Sequence, residues 1–189
     1  MPYGKGLQAW THDAVRTWHN RVRMPNTSSA LLVPPFDLND ETLMAPICEV
    51  IRSHGMPLLL HTSEPVGHTY PGKGVVTPDT LYPFITRHPE IKIVLAHWGG
   101  GLPFYALMPE VKQACANVYF DSAASPFLYN PEIYRLAAQV VGAERILFGS
   151  DNPLMPPRRP LAEIKALGLP PATQALITGG NAARLLGIG

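Results

Sequence analysis

Four residues stand where chemistry could be done: His61, His97, Asp121 and Asp151. They follow or close the apolar runs of LLLHTSEP (58–65), IVLAHWGG (93–100), NVYFDSA (117–123) and ILFGSDNP (146–153). Imidazole with carboxylate is a good ligand set for Zn²⁺ or a similar divalent ion. Such an ion brings the ionisation of bound water toward neutral pH. A further histidine not committed to the metal can serve as general acid or base. A catalytic zinc ordinarily takes three protein ligands, so this set is short by one or two. One histidine at a strand end is usually structural. Four successive strand ends carrying His, His, Asp and Asp point instead to one shared polar site. Asp121 is the weakest member, because it could simply cap the loop that follows it.

The elements that must position these groups alternate in type. Asn39 or Asp40 opens a helix whose apolar residues Leu43, Ile47, Val50 and Ile51 recur at helical spacing, with Pro46 at its start or at a kink and Gly55 as its stop. Strands are expected at 29–35, 57–62, 91–97, 117–122 and 145–151. Helices are expected at 78–88, 102–115, 131–142 and 160–168, with a last one ending in NAARLLGIG. This order means parallel βαβ units. The strands are continuous apolar runs, the pattern of strands covered on both faces. In such folds ligands bind at the C-terminal ends of the strands. Residues 1–28 form a poorly defined N-terminal segment, in which Thr11 could cap a short helix, and residues 29–189 form the main domain.

Composition narrows the function. The chain has 189 residues, 46% of them hydrophobic, and a formal net charge of +1, so nothing in the total favours nucleic acid or a membrane surface. No apolar run approaches the ~20 residues of a membrane helix, and the N-terminus lacks the apolar stretch of a signal peptide. Cys48 and Cys115 lack zinc-type spacing and read as reduced core thiols of a cytoplasmic protein. The expected partner is a small-molecule substrate, with association of like chains left open.

Other residues invite weaker readings. YPGKG (70–74) places Tyr70 and Lys73 in a loop at the same edge as His61, where they could contact substrate, as could Trp98 and Asp121. The GGG at 99–101 lacks the remaining residues of a nucleotide loop and is better read as letting the backbone pass close to a bound group. Arg158 and Arg159 could bind a carboxylate, although a solvated pair is the plainer reading. His12, His19 and His88 read as solvated surface residues, and the seven-residue spacing of His54, His61 and His68 crosses three kinds of element without a common geometry.

Taken together, LLLHTSEP, IVLAHWGG, NVYFDSA, ILFGSDNP and the closing ITGGNAARLLGI resemble the amidohydrolase-related family, the branch of the metal-dependent amidohydrolases that includes aminocarboxymuconate-semialdehyde decarboxylase and resorcylate decarboxylase. The resemblance covers about residues 36–189. It implies a (β/α)₈ TIM barrel with one divalent metal, zinc first. His61 would be a metal ligand ending strand five, His97 the catalytic acid/base ending strand six, and Asp151 the metal-binding carboxylate ending strand eight. Asn181 would belong to the closing helix. The family's His-x-His pair is not found in this sequence. The chain is therefore expected to be a partial barrel, roughly strands 4–8, with open edges near 31–33 and 146–148. The implied activity is metal-dependent hydrolysis of a small cyclic or carboxylated substrate, with non-oxidative decarboxylation as the alternative. An inactive truncated fragment or pseudoenzyme is the reading from a different class.

Overall fold

A computed structural model of the chain describes residues 37–188, and the elements below belong to one compact unit formed by residues 37–69 and 73–189. The N-terminal segment and the strand expected at 29–35 lie outside the described residues. Four short strands, β1 (Leu58–Leu60), β2 (Ile93–Leu95), β3 (Val118–Asp121) and β4 (Ile146–Leu147), pair in that order, and every pair is parallel. Parallel neighbours need a crossover, and helices lie in each connection. α1 (Glu41–His54) precedes β1; α2 (Pro78–Arg87) joins β1 to β2; α3 (Leu102–Tyr105) and α4 (Pro109–Ala114) join β2 to β3; α5 (Ser125–Leu128) and α6 (Ile133–Val141) join β3 to β4. After β4 come α7 (Arg158–Ala166), α8 (Pro171–Ala175) and α9 (Asn181–Leu186). This is part of a (β/α)₈ barrel.

The helix signals act as their chemistry dictates. Asp40 accepts the Thr42 N–H at 3.0 Å and caps α1, Pro46 is accommodated inside it, and Gly55 ends it at φ 61°. The helix expected across 102–115 is two pieces instead. Pro109 has no N–H to give to the preceding turn, so α4 begins afresh there, with Met108 extended at ψ 123°.

Register fixes which side chains share a face. Leu60, Leu95, Phe120 and Ile146 are aligned across the sheet, and the last three are wholly buried. Leu81, Phe84 and Trp98 are fully buried as well, and burial of a leucine or phenylalanine side chain is worth about 1.5–3 kcal/mol on the transfer scale. The opposite face carries Leu59, Val94, Tyr119 and Asp121. Here one expectation fails: β1 is not covered on both faces, since Leu59 is 65% exposed. Its other edge has no partner strand among the described residues, so an apolar run alone does not report a buried strand. His88, expected in solvent, is also buried. Its ring packs 4.7 Å from Phe84, and its Nε2 lies 4.0 Å from Cys48 Sγ and 3.8 Å from Glu41 Oε1, in the seam between α1 and α2. Cys48 and Cys115 are free, buried thiols, and burial raises both, Cys115 to about 11.

Candidate active site

The ladder hydrogen bonds run past the strand ends and hold the loops in line. Ala96 N donates to Leu60 O at 2.9 Å and Ser122 N to Leu147 O at 3.0 Å. The Thr62 hydroxyl donates to Ala96 O. Beyond Gly149 the hydroxyl of Ser122 replaces a backbone partner, accepting from Gly149 N at 3.1 Å. The C-terminal edge is thus one continuous shelf, and His61, His97, Asp121 and Asp151 all stand on it.

The turn after β2 has an unusual backbone. His97, Trp98, Gly99, Gly100 and Gly101 have φ of 55°, 58°, 60°, 62° and 92°, a run in the left-handed region. For residues with a Cβ that region costs roughly 1–2 kcal/mol each. The glycines make the turn affordable, and Gly100 has a second reason to be glycine. A Cβ there would lie 2.2 Å from Ser63 O, so the two loops meet backbone to backbone. Asp151 and Ala124 are left-handed as well, at φ 64° and 57°. Strained positions of this kind gather at functional sites, where the surroundings enforce them.

The His97 ring is buried and meets the His61 ring edge-on, centroids 4.9 Å apart and planes at 75°. His97 Nδ1 lies 3.0 Å from Ala123 O. A carbonyl oxygen only accepts, so Nδ1 carries the proton and, in the neutral ring, Nε2 is the basic nitrogen. Asp121 Oδ1 accepts the Ala123 N–H at 2.6 Å. Burial is the main cause that raises the Asp121 carboxyl above the ordinary range; the Ala123 N–H and nearby His97 oppose it, and the charge of Asp151 adds to it. Asp151 itself is exposed.

The remaining expected contacts divide. Trp98 is wholly buried, its indole N–H donating to Ser125 Oγ and its ring edge-on to Tyr134 at 5.1 Å, so the side chain is committed to packing. Lys73 Nζ donates to the carbonyls of its own loop, Val66 O at 2.7 Å and His68 O at 3.1 Å. Tyr70 is not part of the compact unit that holds the other residues. Arg159 lies over the Phe127 ring, 5.1 Å from its centroid, and 3.8 Å from Glu163. Asn181 is a structural anchor, donating to Ala143 O at 2.7 Å and Ile146 O at 2.8 Å. Ala123 is the participant that sequence reasoning missed. Its contribution is a backbone carbonyl, which leaves no mark in residue type.

Among the described residues, no group of three or more His, Cys, Asp or Glu is arranged to hold a metal ion. The donor types suit a divalent ion, and their number among the described residues does not.

A family model described as amidohydrolase matches residues 27–188. The chain belongs to the amidohydrolase family. No curated protein matches it. Solved structures do, at low identity. A 5-carboxyvanillate decarboxylase from Sphingomonas paucimobilis is 22% identical with a TM-score of 0.63, over 76% of this chain and 53% of that one. A dihydroxybenzoic acid decarboxylase from Polaromonas sp. JS666, with bound manganese and the inhibitor 2-nitroresorcinol, is 19% identical with a TM-score of 0.66, over 89% and 57%. An uncharacterised TIM-barrel protein from Bordetella bronchiseptica is 20% identical with a TM-score of 0.62, over 82% and 54%. The family chain thus spans little more than half the length of these barrels, and its four strands share their fold. Among its described residues no helix is long and apolar enough to cross a membrane.

Proposed function

We propose that this chain carries the proton-transfer half of an amidohydrolase-family active site, and that the reaction is non-oxidative decarboxylation of a small hydroxylated aromatic carboxylate. One observation carries the reading: His97 has a single committed tautomer, Nδ1–H on Ala123 O, beside the ring of His61. Once protonated at Nε2, His97 gives that proton to the ring carbon that bears the carboxylate. The carbon–carbon bond then breaks, its electron pair returns to the ring, and CO₂ leaves. General acid catalysis of this kind is worth about 10²–10⁴ in rate. His61 and Asp151 are proposed as two of the ligands of a divalent ion. Zinc is the expectation from residue types, whereas the Polaromonas structure holds manganese, so both ions are tested. Hydrolysis, which the sequence placed first, stays as the second reading because the matching family model is described as amidohydrolase. There the same Nε2 takes a proton from the attacking water.

The test supplies Mn²⁺ or Zn²⁺ with 2,6-dihydroxybenzoate or 5-carboxyvanillate and follows CO₂ release, beside His97→Asn. We expect release that falls about 10²–10⁴-fold in the variant. Cleavage of esters or lactones without CO₂ release would replace decarboxylation by hydrolysis. No reaction of either kind, with no metal retained in wild type or Asp151→Asn, would leave the inactive-fragment reading.

A further inference from the structure

His97 and Trp98 are consecutive, both left-handed, and both send a side-chain donor into the same short turn after β3. His97 Nδ1 donates to Ala123 O and Trp98 Nε1 to Ser125 Oγ. That turn is the platform on which His97 is oriented. It is pinned in turn from several sides: Ser122 N to Leu147 O at 3.0 Å, Ser125 Oγ to Ser122 O at 2.8 Å, and Ala123 N to Asp121 Oδ1 at 2.6 Å. The last bond matters most, because it holds the residue whose own carbonyl meets the imidazole. Asp121 Oδ1 holds the N–H of the peptide that precedes Ala123, Ser125 holds that peptide's carbonyl, and the Ala123 carbonyl follows directly in the chain. Gly149 supports the carboxylate itself. A Cβ at Gly149 would stand 2.4 Å from Asp121 Oδ1, so a bare backbone at 149 is what admits this carboxylate orientation.

We propose that Asp121 is a positioning residue for His97: its carboxylate fixes the Ala123 peptide, and the Ala123 carbonyl then fixes His97 in the Nδ1–H tautomer with Nε2 as the basic nitrogen. The proposal rests on the reading of His97 as the proton-transfer group, and it moves Asp121 from substrate contact to the support of that group. A histidine side chain in water favours the Nε2–H tautomer, so the native one must be imposed by its surroundings, as outer carboxylates and carbonyls impose it on metal-bound histidines.

The experiment reads the tautomer directly and needs no turnover. The chain is labelled with ¹⁵N-histidine, the His97 ring is assigned by its disappearance in His97→Gln, and long-range ¹H–¹⁵N correlations are recorded at a pH where the ring is neutral. Wild type is expected as Nδ1–H. Asp121→Ala should shift the tautomer ratio toward Nε2–H by roughly fivefold or more, the scale of one hydrogen bond. Asp121→Asn keeps an Oδ1 acceptor for Ala123 N–H and should restore the wild-type ratio. Gly149→Ala, which leaves residue 121 unchanged, should shift the ratio in the same direction as Asp121→Ala by pushing the carboxylate aside. A merely structural role would lower stability without moving the ratio. The relay is overturned if wild type is Nε2–H, if Gly149→Ala and Asp121→Ala both keep the native ratio, or if Asp121→Asn loses it as fully as alanine does. Should Asp121→Ala not fold, the asparagine and Gly149 variants decide. A chain that shows the relay yet turns over no substrate would fail the functional reading alone.

Discussion

His97, just after β2, and Asp121, at the end of β3, are held by defined bonds to the backbone of the same turn, whereas Asp151, beyond the end of the outer strand β4, is exposed, and β1, which leads to His61, leaves Leu59 65% exposed. The difference separates two tasks. Moving a proton requires one nitrogen in one tautomer, and neighbouring strands of this chain suffice to fix it. Holding an ion requires several donors converging from different directions. The described residues bring the outer pair to the shelf without completing such a group.

The largest effect that would break this contrast is at Gly100. Replacing it by alanine forces a methyl to 2.2 Å from Ser63 O in a left-handed backbone, and should cost about 3 kcal/mol or more in urea unfolding. Gly74→Ala, beside His61, meets nothing nearer than 3.4 Å and should stay within about 0.5 kcal/mol. Equal losses would erase the distinction between the two loops. Next in size is Trp98→Phe, which removes the bond to Ser125 and leaves a void in a fully buried site. A loss of about 1–3 kcal/mol is expected by thermal or chemical unfolding.

A smaller effect sharpens the comparison through pH. Burial raises the Asp121 carboxyl, so the folded chain binds that proton more tightly than the unfolded chain does. The stability this confers is complete below the ordinary value of 3.8 and is lost as pH rises through the raised folded value. The Tm of Asp121→Asn relative to wild type should therefore climb across that window and then level. A difference that is constant with pH would mean burial does not dominate at Asp121. Smallest of all, Asp151→Asn at an exposed position should change stability by less than about 0.5 kcal/mol at neutral pH, while reducing any bound metal measured per chain.

Much of this arrangement is legible in the residues. Apolar runs interrupted by prolines and caps located four strands and most helices, and parallel order then brought the strand-end groups to one edge. The illegible parts share a cause: they depend on what lies across a gap in the chain. Trp98 looks like a ligand contact beside His97 until Tyr134 and Ser125 are seen to enclose it. Lys73 donates to carbonyls of its own loop, a pairing that residue type does not announce. His88 looks solvated because the seam between α1 and α2 has no sequence mark. Ala123 is invisible because any residue would have offered the same carbonyl.

The contact between Gly100 and Ser63 O also bears on how this sequence can change over generations. Every amino-acid replacement reachable from a glycine codon by one base change adds at least a β-carbon, and each would collide with the same oxygen. Position 100 therefore has no neutral neighbours in sequence space. Asp151, exposed and meeting no such wall, could change freely, whereas this glycine would have to be kept to keep the fold. A replacement at position 151 is therefore expected among copies of this domain far more often than one at position 100.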